Sequence, residues 1–224
     1  MLGGAEGNSL ATTTGEVLGL ECLTSRTGPS PGARMRKLTY YIAVSIDGFI
    51  EGPNHETDFY PLGEDFVAYM TSEYADCIPT HVREQFGIDA PNKHFDTVIQ
   101  GRTSYEIALR EGITSPYAHM RQYVASTTMS ESPDPAVEVV ADPVATVREL
   151  KREDGDLGIY LIGGAKLAGV LIDEIDELVV KRYPVLAGSG TPMFVGATFN
   201  PAEFTLTDHR LFDNGTAVAA YRRK

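Results

Sequence analysis

Residues 97–106, TVIQGRTSYE, contain the pattern that decides the fold: a short β-rich apolar run, one glycine and then a helical pattern. Residues 159–167, IYLIGGAKL, repeat this arrangement with two glycines. At such a junction, free backbone N–H groups and the dipole of the helix can hold an anion. Arg102 adds a permanently charged group whose geometry suits phosphate. Together the two stretches predict a site for a phosphate-bearing nucleotide.

Strand and helix patterns alternate on both sides of these junctions, which indicates crossover units and a largely parallel sheet. Residues 38–46 are a continuous β-branched and aromatic run, typical of a central strand covered on both faces. The predicted elements are strands at 38–46, 96–100, 121–126, 136–140, 158–162 and 175–185, helices at 64–74, 103–110, 143–152 and 165–171, and a long irregular segment at 186–201.

The C-terminal region has a different pattern. Residues 203–212 and 216–222 flank Asp213, Asn214 and Gly215, and Asn-Gly is the preferred two-residue hairpin turn. An antiparallel hairpin is therefore expected to close one edge of the sheet. The predicted fold class is α/β, with a mixed, mostly parallel sheet, flanking helices and a C-terminal antiparallel hairpin.

Composition limits the possible partners. The chain has 224 residues, a formal net charge of −12 and 42% apolar residues, which argues for a globular protein and against nucleic acid as a general partner. A local basic cluster can still bind a small anion. No apolar run of about eighteen residues predicts a membrane span. Cys22 and Cys77 provide neither a disulfide framework nor a zinc site, and the histidines lack metal-ligand spacing, so we expect a cytoplasmic protein without a metal.

Residues 1–34 alternate glycine with serine, threonine and proline and have no persistent apolar period. We interpret them as a disordered N-terminal tail, followed by one domain at residues 35–224.

Each candidate site residue also has an ordinary structural explanation. Gly101, Arg102 and Thr103 could form a plain loop in which the arginine pairs with an acidic neighbour. Gly163 and Gly164 could form a tight turn, since their spacing fits neither a Walker loop nor the dinucleotide fingerprint. However, both motifs end strands of one predicted sheet, where ligands of α/β proteins usually bind. Residues 126–128, a serine and two threonines, could bind phosphate or serve a turn.

Asp47 and Asp65 are the candidate catalytic acids. A carboxyl group in a partly apolar pocket has a raised pKa and can supply a proton to a substrate nitrogen. The alternatives are an Asx turn for Asp47 and a helix N-terminus for Asp65, because a first-turn acid also complements the helix dipole.

These segments, in this order, resemble the dihydrofolate reductase-like superfamily. The resemblance is closer to stand-alone reductase domains similar to the C-terminal half of the bifunctional riboflavin-biosynthesis deaminase-reductase. It covers roughly residues 36–222 and depends on AVSIDGFI at 43–50, VIQGRTSYE at 98–106, LIGGA at 161–165, DEL at 176–178 and PVLAGSGTPMF at 184–194.

The resemblance implies NADPH as the hydride source, a small-molecule substrate and a homodimer. It implies that Asp47 lies in the substrate pocket and that Asp65 loosely matches the acid of true dihydrofolate reductases. It also implies a set of cofactor-binding residues: Ala43, Gly101, Arg102, Thr103, Ser126, Thr127, Ile162, Gly163, Gly164 and Ala165.

The predicted function is that of an NADPH-dependent reductase similar to 5-amino-6-(5-phosphoribosylamino)uracil reductase, acting on a small heterocyclic or ribosyl-pyrimidine substrate. The zinc deaminase half needs a His-x-Glu and a Pro-Cys-x-x-Cys segment, and residues 1–34 contain neither. Three alternatives stay open: a dihydrofolate reductase, a reductase of another small molecule, and a non-catalytic protein that binds NADPH or a pterin.

Overall fold

The computed structural model describes residues 35–224; the predicted tail at 1–34 and Cys22 lie outside the described residues. Five helices are present in the described part: α1 (Glu64–Glu73), α2 (Thr80–Gln85), α3 (Arg102–Arg110), α4 (Pro143–Arg152) and α5 (Ala165–Val170). Ten strands accompany them: β1 (Leu38–Val44), β2 (Phe49–Glu51), β3 (Phe95–Gly101), β4 (Arg121–Ala125), β5 (Val137–Val140), β6 (Gly158–Gly163), β7 (Glu177–Arg182), β8 (Thr191–Pro192), β9 (Phe204–Leu211) and β10 (Ala217–Arg223).

Eight strands form one sheet in the order β5-β4-β3-β6-β1-β7-β10-β9. The pairs from β5 to β7 are parallel, whereas β10 is antiparallel to both of its neighbours. The predicted mixed, mostly parallel sheet with a C-terminal antiparallel hairpin is therefore confirmed. Because the six adjacent strands from β5 to β7 are parallel, their carboxyl ends lie together at one edge, which we call the carboxyl edge.

Adjacent residues of the central strands face opposite layers. Tyr40 packs with Val147 of α4 and Leu167 of α5, and we call this side the α5 face. Tyr41 packs with Phe66 of α1 on the other side, the α1 face. Burial of each large apolar side chain contributes about 1.5–3 kcal/mol, so the two layers of core clamp the sheet between the helices.

Several short elements were not predicted. The segment at 186–201 contains β8, which pairs with β2 in a separate two-stranded sheet. Two 3₁₀ turns, Ala75–Cys77 and Ile172–Glu174, precede α2 and β7. The strand predicted at 175–185 is shorter in the structure, where β7 spans Glu177–Arg182. Within residues 35–224, every helix is too short or too polar to cross a membrane.

The turn of the C-terminal hairpin differs from the prediction. The Phe212 amide donates to the Thr216 carbonyl at 2.9 Å, so the loop has three residues, 213–215, instead of two. A two-residue Asn-Gly turn needs positive φ at both positions. Only Gly215 has it, at +83°, because the Asn214 side chain is held on the Pro61 carbonyl and on the Thr216 amide.

Candidate functional site

The two glycine junctions meet at the carboxyl edge. Strands β3 and β6 are hydrogen-bonded neighbours, with Gln100 opposite Gly163. A Cβ built on Gly101 would lie 3.6 Å from the Gly164 nitrogen and 3.7 Å from the Gly163 oxygen. A Cβ at position 101 would thus fill the narrow space between the two loops at ordinary contact distance, and glycine leaves that space unoccupied. That this space admits a ligand stays a prediction.

The helices that follow these glycines begin without a side-chain cap. Gly101 is the N-cap of α3 and Gly164 that of α5, and neither can offer a side-chain acceptor. By contrast, α4 begins at Asp142, whose carboxylate accepts a bond from the Ala145 amide at 3.0 Å. The first-turn N–H groups of α3, a helix of nine residues, are thus available to an external acceptor.

The turn after β6 requires glycine. Gly163 has φ +118°, a conformation that other residues rarely adopt, and its peptide bond to Gly164 is cis. The backbone passes over the Tyr40 ring, whose hydroxyl would lie 3.7 Å from a Cβ at position 163. No side chain within residues 35–224 therefore covers the backbone of this turn where it faces the junction at Gly101.

Arg102 links the α3 junction to the loop after β4. Its Nη1 donates to Thr128 Oγ1 at 2.8 Å, and its Nε lies 3.4 Å from Glu106 Oε1 one helical turn away. The side chain is 44% exposed, so most of its donors remain open to a ligand. The pairing with an acidic neighbour is present, but it does not occupy the whole guanidinium group.

The loop after β4 places hydroxyl groups beside Arg102. Ser126 Oγ accepts the amides of Thr128 and Met129 at 3.1 and 2.9 Å, which holds the loop in a tight turn. Its O–H can still donate, and Thr127 is exposed. Arg102 and residues 126–128 thus form one small polar cluster at the carboxyl edge, with Thr103 exposed next to it.

Gln100 is a polar residue in this region that sequence reasoning missed. It is buried at the end of β3, and its Nε2 has no hydrogen-bond partner in the described structure. Buried amide donors are nearly always satisfied, so an unpaired one beside Gly101 indicates a missing acceptor. The available signal was a glutamine inside an apolar strand.

Asp47 is exposed at the turn after β1 and is held by three donors. Its Oδ1 accepts the Ser45 hydroxyl at 2.6 Å and the Ala187 amide at 3.0 Å, and its Oδ2 accepts the Gly188 amide at 2.8 Å. These bonds, the serine hydroxyl first, lower the pKa of Asp47 to about 2. The expectation of a raised pKa is wrong, because the carboxylate is hydrogen-bonded and hydrated instead of lying in an apolar pocket. Asp47 is ionised at neutral pH, and its contact with substrate stays a prediction.

Asp65 is at the start of α1, where both of its oxygens accept backbone bonds. Oδ1 accepts the Phe66 amide at 2.8 Å, and Oδ2 accepts the Asp213 amide at 2.9 Å. The carboxylate therefore ties α1 to the β9–β10 loop, which is an ordinary structural role for an acid in a first helical turn. Its catalytic role stays a prediction.

Half-buried residues of three adjacent strands lie next to one another on the α1 face. Ala43 of β1 and Ile162 of β6 pack against the edge of the α1-side core. Lys181 of β7 is paired with Ala43 in the strand register, and its Nζ lies 3.9 Å from the centre of the Tyr41 ring. This surface is apolar and aromatic apart from one ammonium group.

No metal centre is formed by the part of the chain that the structure describes, since three or more His, Cys, Asp or Glu side chains are nowhere arranged to hold an ion. Cys77 is a free, buried thiol, and burial raises its pKa well above the usual value.

Known structures share this fold. A protein from Shewanella sp. PV-4, whose name assigns it to riboflavin biosynthesis, has a TM-score of 0.59 and 23% identity over 84% of this chain and 99% of its own. The diaminohydroxyphosphoribosylaminopyrimidine deaminase/5-amino-6-(5-phosphoribosylamino)uracil reductase of Thermotoga maritima has a TM-score of 0.57 and 15% identity. The match covers 85% of this chain and 57% of that longer protein.

Two proteins of Bacillus subtilis (strain 168) are similar in sequence. Uncharacterized protein YwjB is 31% identical over 162 residues, which cover 71% of this chain and 83% of YwjB. Uncharacterized protein YyaP is 24% identical over 203 residues, 84% of this chain and 95% of YyaP. The family model of the RibD C-terminal domain matches residues 36–218. Since this match contains the whole carboxyl edge described above, the chain belongs to the RibD C-terminal domain family.

Proposed function

We propose that this protein is an NADPH-dependent reductase of the riboflavin-biosynthesis type, which transfers a hydride to a small heterocyclic or ribosyl-pyrimidine substrate. The observation that carries the proposal is the meeting of two bare glycine loops beside the cluster of Arg102 and residues 126–128. The T. maritima structure with the same fold includes a 5-amino-6-(5-phosphoribosylamino)uracil reductase, which supports the reaction class.

The residues present fit NADPH. The buried, unpaired Nε2 of Gln100 lacks an acceptor at the loop, and the space that a Cβ at Gly101 would occupy is free. Three residues at the start of α3 would hold the adenosine-side phosphates: Gly101, Arg102 and Thr103.

Ser126 and Thr127 would donate to the 2′-phosphate, next to the Arg102 guanidinium. Turn residues Ile162, Gly163, Gly164 and Ala165 would approach the pyrophosphate, and Ala43 would contact the nicotinamide amide through its backbone.

The bound cofactor would supply the hydride, and the protein would supply position and shelter from water. The half-buried surface of Ala43 and Ile162 on the α1 face is apolar, so it suits the face of a planar ring. Asp47 holds the loop at 187–188 as a carboxylate and can accept an N–H or O–H of the substrate. A pKa of about 2 makes it an acceptor and not the proton donor. Asp65 remains the reserve candidate for proton supply.

The proposal includes a homodimer and a cytoplasmic location. Strand β9 forms the outer edge of the sheet and is exposed along nearly its whole length, including Leu206 and Leu211. An unpaired edge strand with exposed leucines supports association of two copies. Light scattering of the pure protein should give twice the mass of the chain, and a monomer at micromolar concentration would contradict the dimer.

The cofactor assignment is tested by titrating NADPH and NADH into the wild type, Arg102→Ala and Arg110→Ala. Binding is followed by calorimetry and by fluorescence energy transfer from the tyrosines to the reduced nicotinamide, since the chain has no tryptophan. We expect Arg102→Ala to weaken NADPH binding by about 10- to 100-fold, since charge-assisted bonds to phosphate contribute about 1.5–3 kcal/mol. NADH binding should change much less, because NADH lacks the 2′-phosphate.

Arg110→Ala is the matched control, because Arg110 is an exposed arginine in the last turn of the same helix. It should leave both affinities unchanged. Equal losses for the two cofactors in Arg102→Ala, or no binding of NADPH by the wild type, would refute the assignment. Loss of NADPH absorbance with pyrimidine or folate substrates then separates an enzyme from a binder, which would bind the cofactor tightly without turnover.

A further inference from the structure

Lys181 is an internal lysine that the proposed cofactor site does not use. It lies on β7 between β1 and β10, paired with Ala43 on one side and Val218 on the other. Its Nζ is 3.9 Å above the centre of the Tyr41 ring, so the side chain is on the α1 face. It is half-buried there, next to the surface of Ala43 and Ile162.

The ammonium group of Lys181 has no carboxylate partner within residues 35–224, although the chain carries 31 acidic residues. Four of the five other lysines in residues 35–224 pair with an acid: Lys37 with Glu177, Lys93 with Glu73, Lys151 with Asp176 and Lys224 with Glu203. The fifth, Lys166, is exposed to solvent at the start of α5, so its charge needs no partner. A net charge of −12 makes a missing partner more notable, because acids are abundant.

The groups that face Lys181 explain why its charged form lowers the stability of the folded protein. Tyr41 lies beneath it, and the Cys77 thiol is near enough to act on its charge. Asp76, next to Cys77, directs its Oδ2 to the amides of His94 and Phe95 instead. Burial therefore lowers the pKa of Lys181 to about 8. The group is still mostly protonated at neutral pH, so the folded protein holds a poorly solvated cation at some loss of stability.

The Tyr41 ring attracts the cation from one side only. A cation with no carboxylate partner in the described residues, beside the proposed hydride-transfer site, is best explained by a ligand. We infer that Lys181 donates a hydrogen bond to a ring carbonyl oxygen of the substrate, a planar pyrimidine or pterin-like heterocycle that lies on the α1 face beside Ala43. This inference rests on the proposed function. The apolar, half-buried side chains of Ala43 and Ile162 beside the ammonium group favour a flat ring over a hydrated phosphate, and a carbonyl oxygen is the acceptor that such rings present at their edge.

Lysine labelling tests the inference without requiring turnover. The full-length protein is treated with acetic anhydride near neutral pH, and modification of each lysine is read by peptide mass spectrometry. Labelling is repeated with NADPH alone, and then with NADPH plus 5,6-diaminouracil or dihydrofolate. We expect a ring probe to protect Lys181 while Lys224 reacts as before. Protection by NADPH alone, or by neither ring probe, would overturn the inference.

Variants give an independent test. Lys181→Met should weaken ring-probe binding, and raise KM for any probe that turns over, by about 10-fold or more, with NADPH affinity unchanged. Lys181→Arg, which keeps the charge and donors, should restore part of the loss. Lys224→Met is the matched control, because it removes an exposed charge beyond the end of β10, at the opposite, amino edge of the sheet.

Stability distinguishes a ligand-binding lysine from a structural one. Removing an unpaired, poorly solvated charge should raise the melting temperature of Lys181→Met by about 2–4 °C. A lower melting temperature with unchanged ring-probe binding would show that Lys181 only supports the fold. Failure of the wild type to bind NADPH would instead refute the proposed function, so the two failures are distinguishable.

Discussion

The amino and carboxyl edges of the sheet differ in how their basic side chains and buried donors are satisfied. The amino edge holds a cavity of ≈ 280 Å³ near the start of β1. Its basic residues are all paired with acids: Arg36 with Asp96 and Glu153, Lys37 and Arg222 with Glu177, and Lys93 and His94 with Glu73. At the carboxyl edge, Gln100 Nε2 has no acceptor in the described structure and Lys181 has no acid.

This contrast shows that a hollow alone does not identify a ligand site. The cavity at the amino edge is lined by charges that already neutralise one another, so it has little left to offer a ligand. The carboxyl edge has bare backbone at Gly101 and Gly163 and, at Gln100 Nε2, a buried donor without an acceptor in the described structure. Unsatisfied buried donors point to a function, whereas a satisfied ion-pair network points to stability.

The largest expected effect is at the amino edge. Arg36 is 4% exposed and binds Asp96, Glu153, the Thr97 hydroxyl and two backbone carbonyls. Arg36→Ala should lower the free energy of unfolding by about 3 kcal/mol, because it removes a buried charge from its hydrogen-bonded partners. Urea unfolding measures this loss, and NADPH affinity of the folded variant should be unchanged.

Arg152→Ala is the control for this prediction, since Arg152 is an exposed arginine at the end of α4. Its free energy of unfolding should change by no more than about 0.5 kcal/mol. A weakened NADPH affinity in Arg36→Ala would contradict the view that the amino edge supports stability and the carboxyl edge binds the ligand.

A smaller effect is expected at Asp65, a carboxyl-edge acid whose oxygens are both occupied. Asp65→Ala should lower the free energy of unfolding by about 1 kcal/mol, because the bond to the Asp213 amide between α1 and the hairpin is lost. The turnover number should stay close to that of the wild type. A fall in the turnover number of about 100-fold or more would identify Asp65 as the general acid and would assign it to the reactive site.

The smallest effect concerns Asp47, which is exposed. Its pKa is lowered from 3.8 to about 2 in the folded protein, so its contribution to stability is present above pH 3.8 and is lost as the pH falls toward 2. Thermal melts of the wild type and Asp47→Asn should therefore converge over this interval. A constant difference between the two proteins down to pH 2 would show that ionised Asp47 does not hold the loop at 187–188.

The parts of this structure that follow from local sequence could be predicted. Continuous apolar runs identified β1, β3 and β6, and a parallel sheet brings Gly101 and Gly163 to one edge. The missed features depend on distant contacts. The low pKa of Asp47 comes first from the neighbouring Ser45 hydroxyl and then from amides 140 and 141 residues away, at Ala187 and Gly188, and the sequence pattern does not reveal the latter. The isolation of Lys181 likewise depends on which acids other elements have already bound, and no local pattern carries that information.

The central position of β1 has a consequence for synthesis on the ribosome. Leu38 pairs with Ile159 of β6, and Thr39 pairs with Glu177 of β7. Strand β1 therefore leaves the ribosome long before the two strands with which it pairs are synthesised. At about 5–20 residues per second, a delay of well over a hundred residues corresponds to roughly 6–28 s. During that time an apolar strand with two open edges is exposed, and we expect chaperones to bind the nascent chain there.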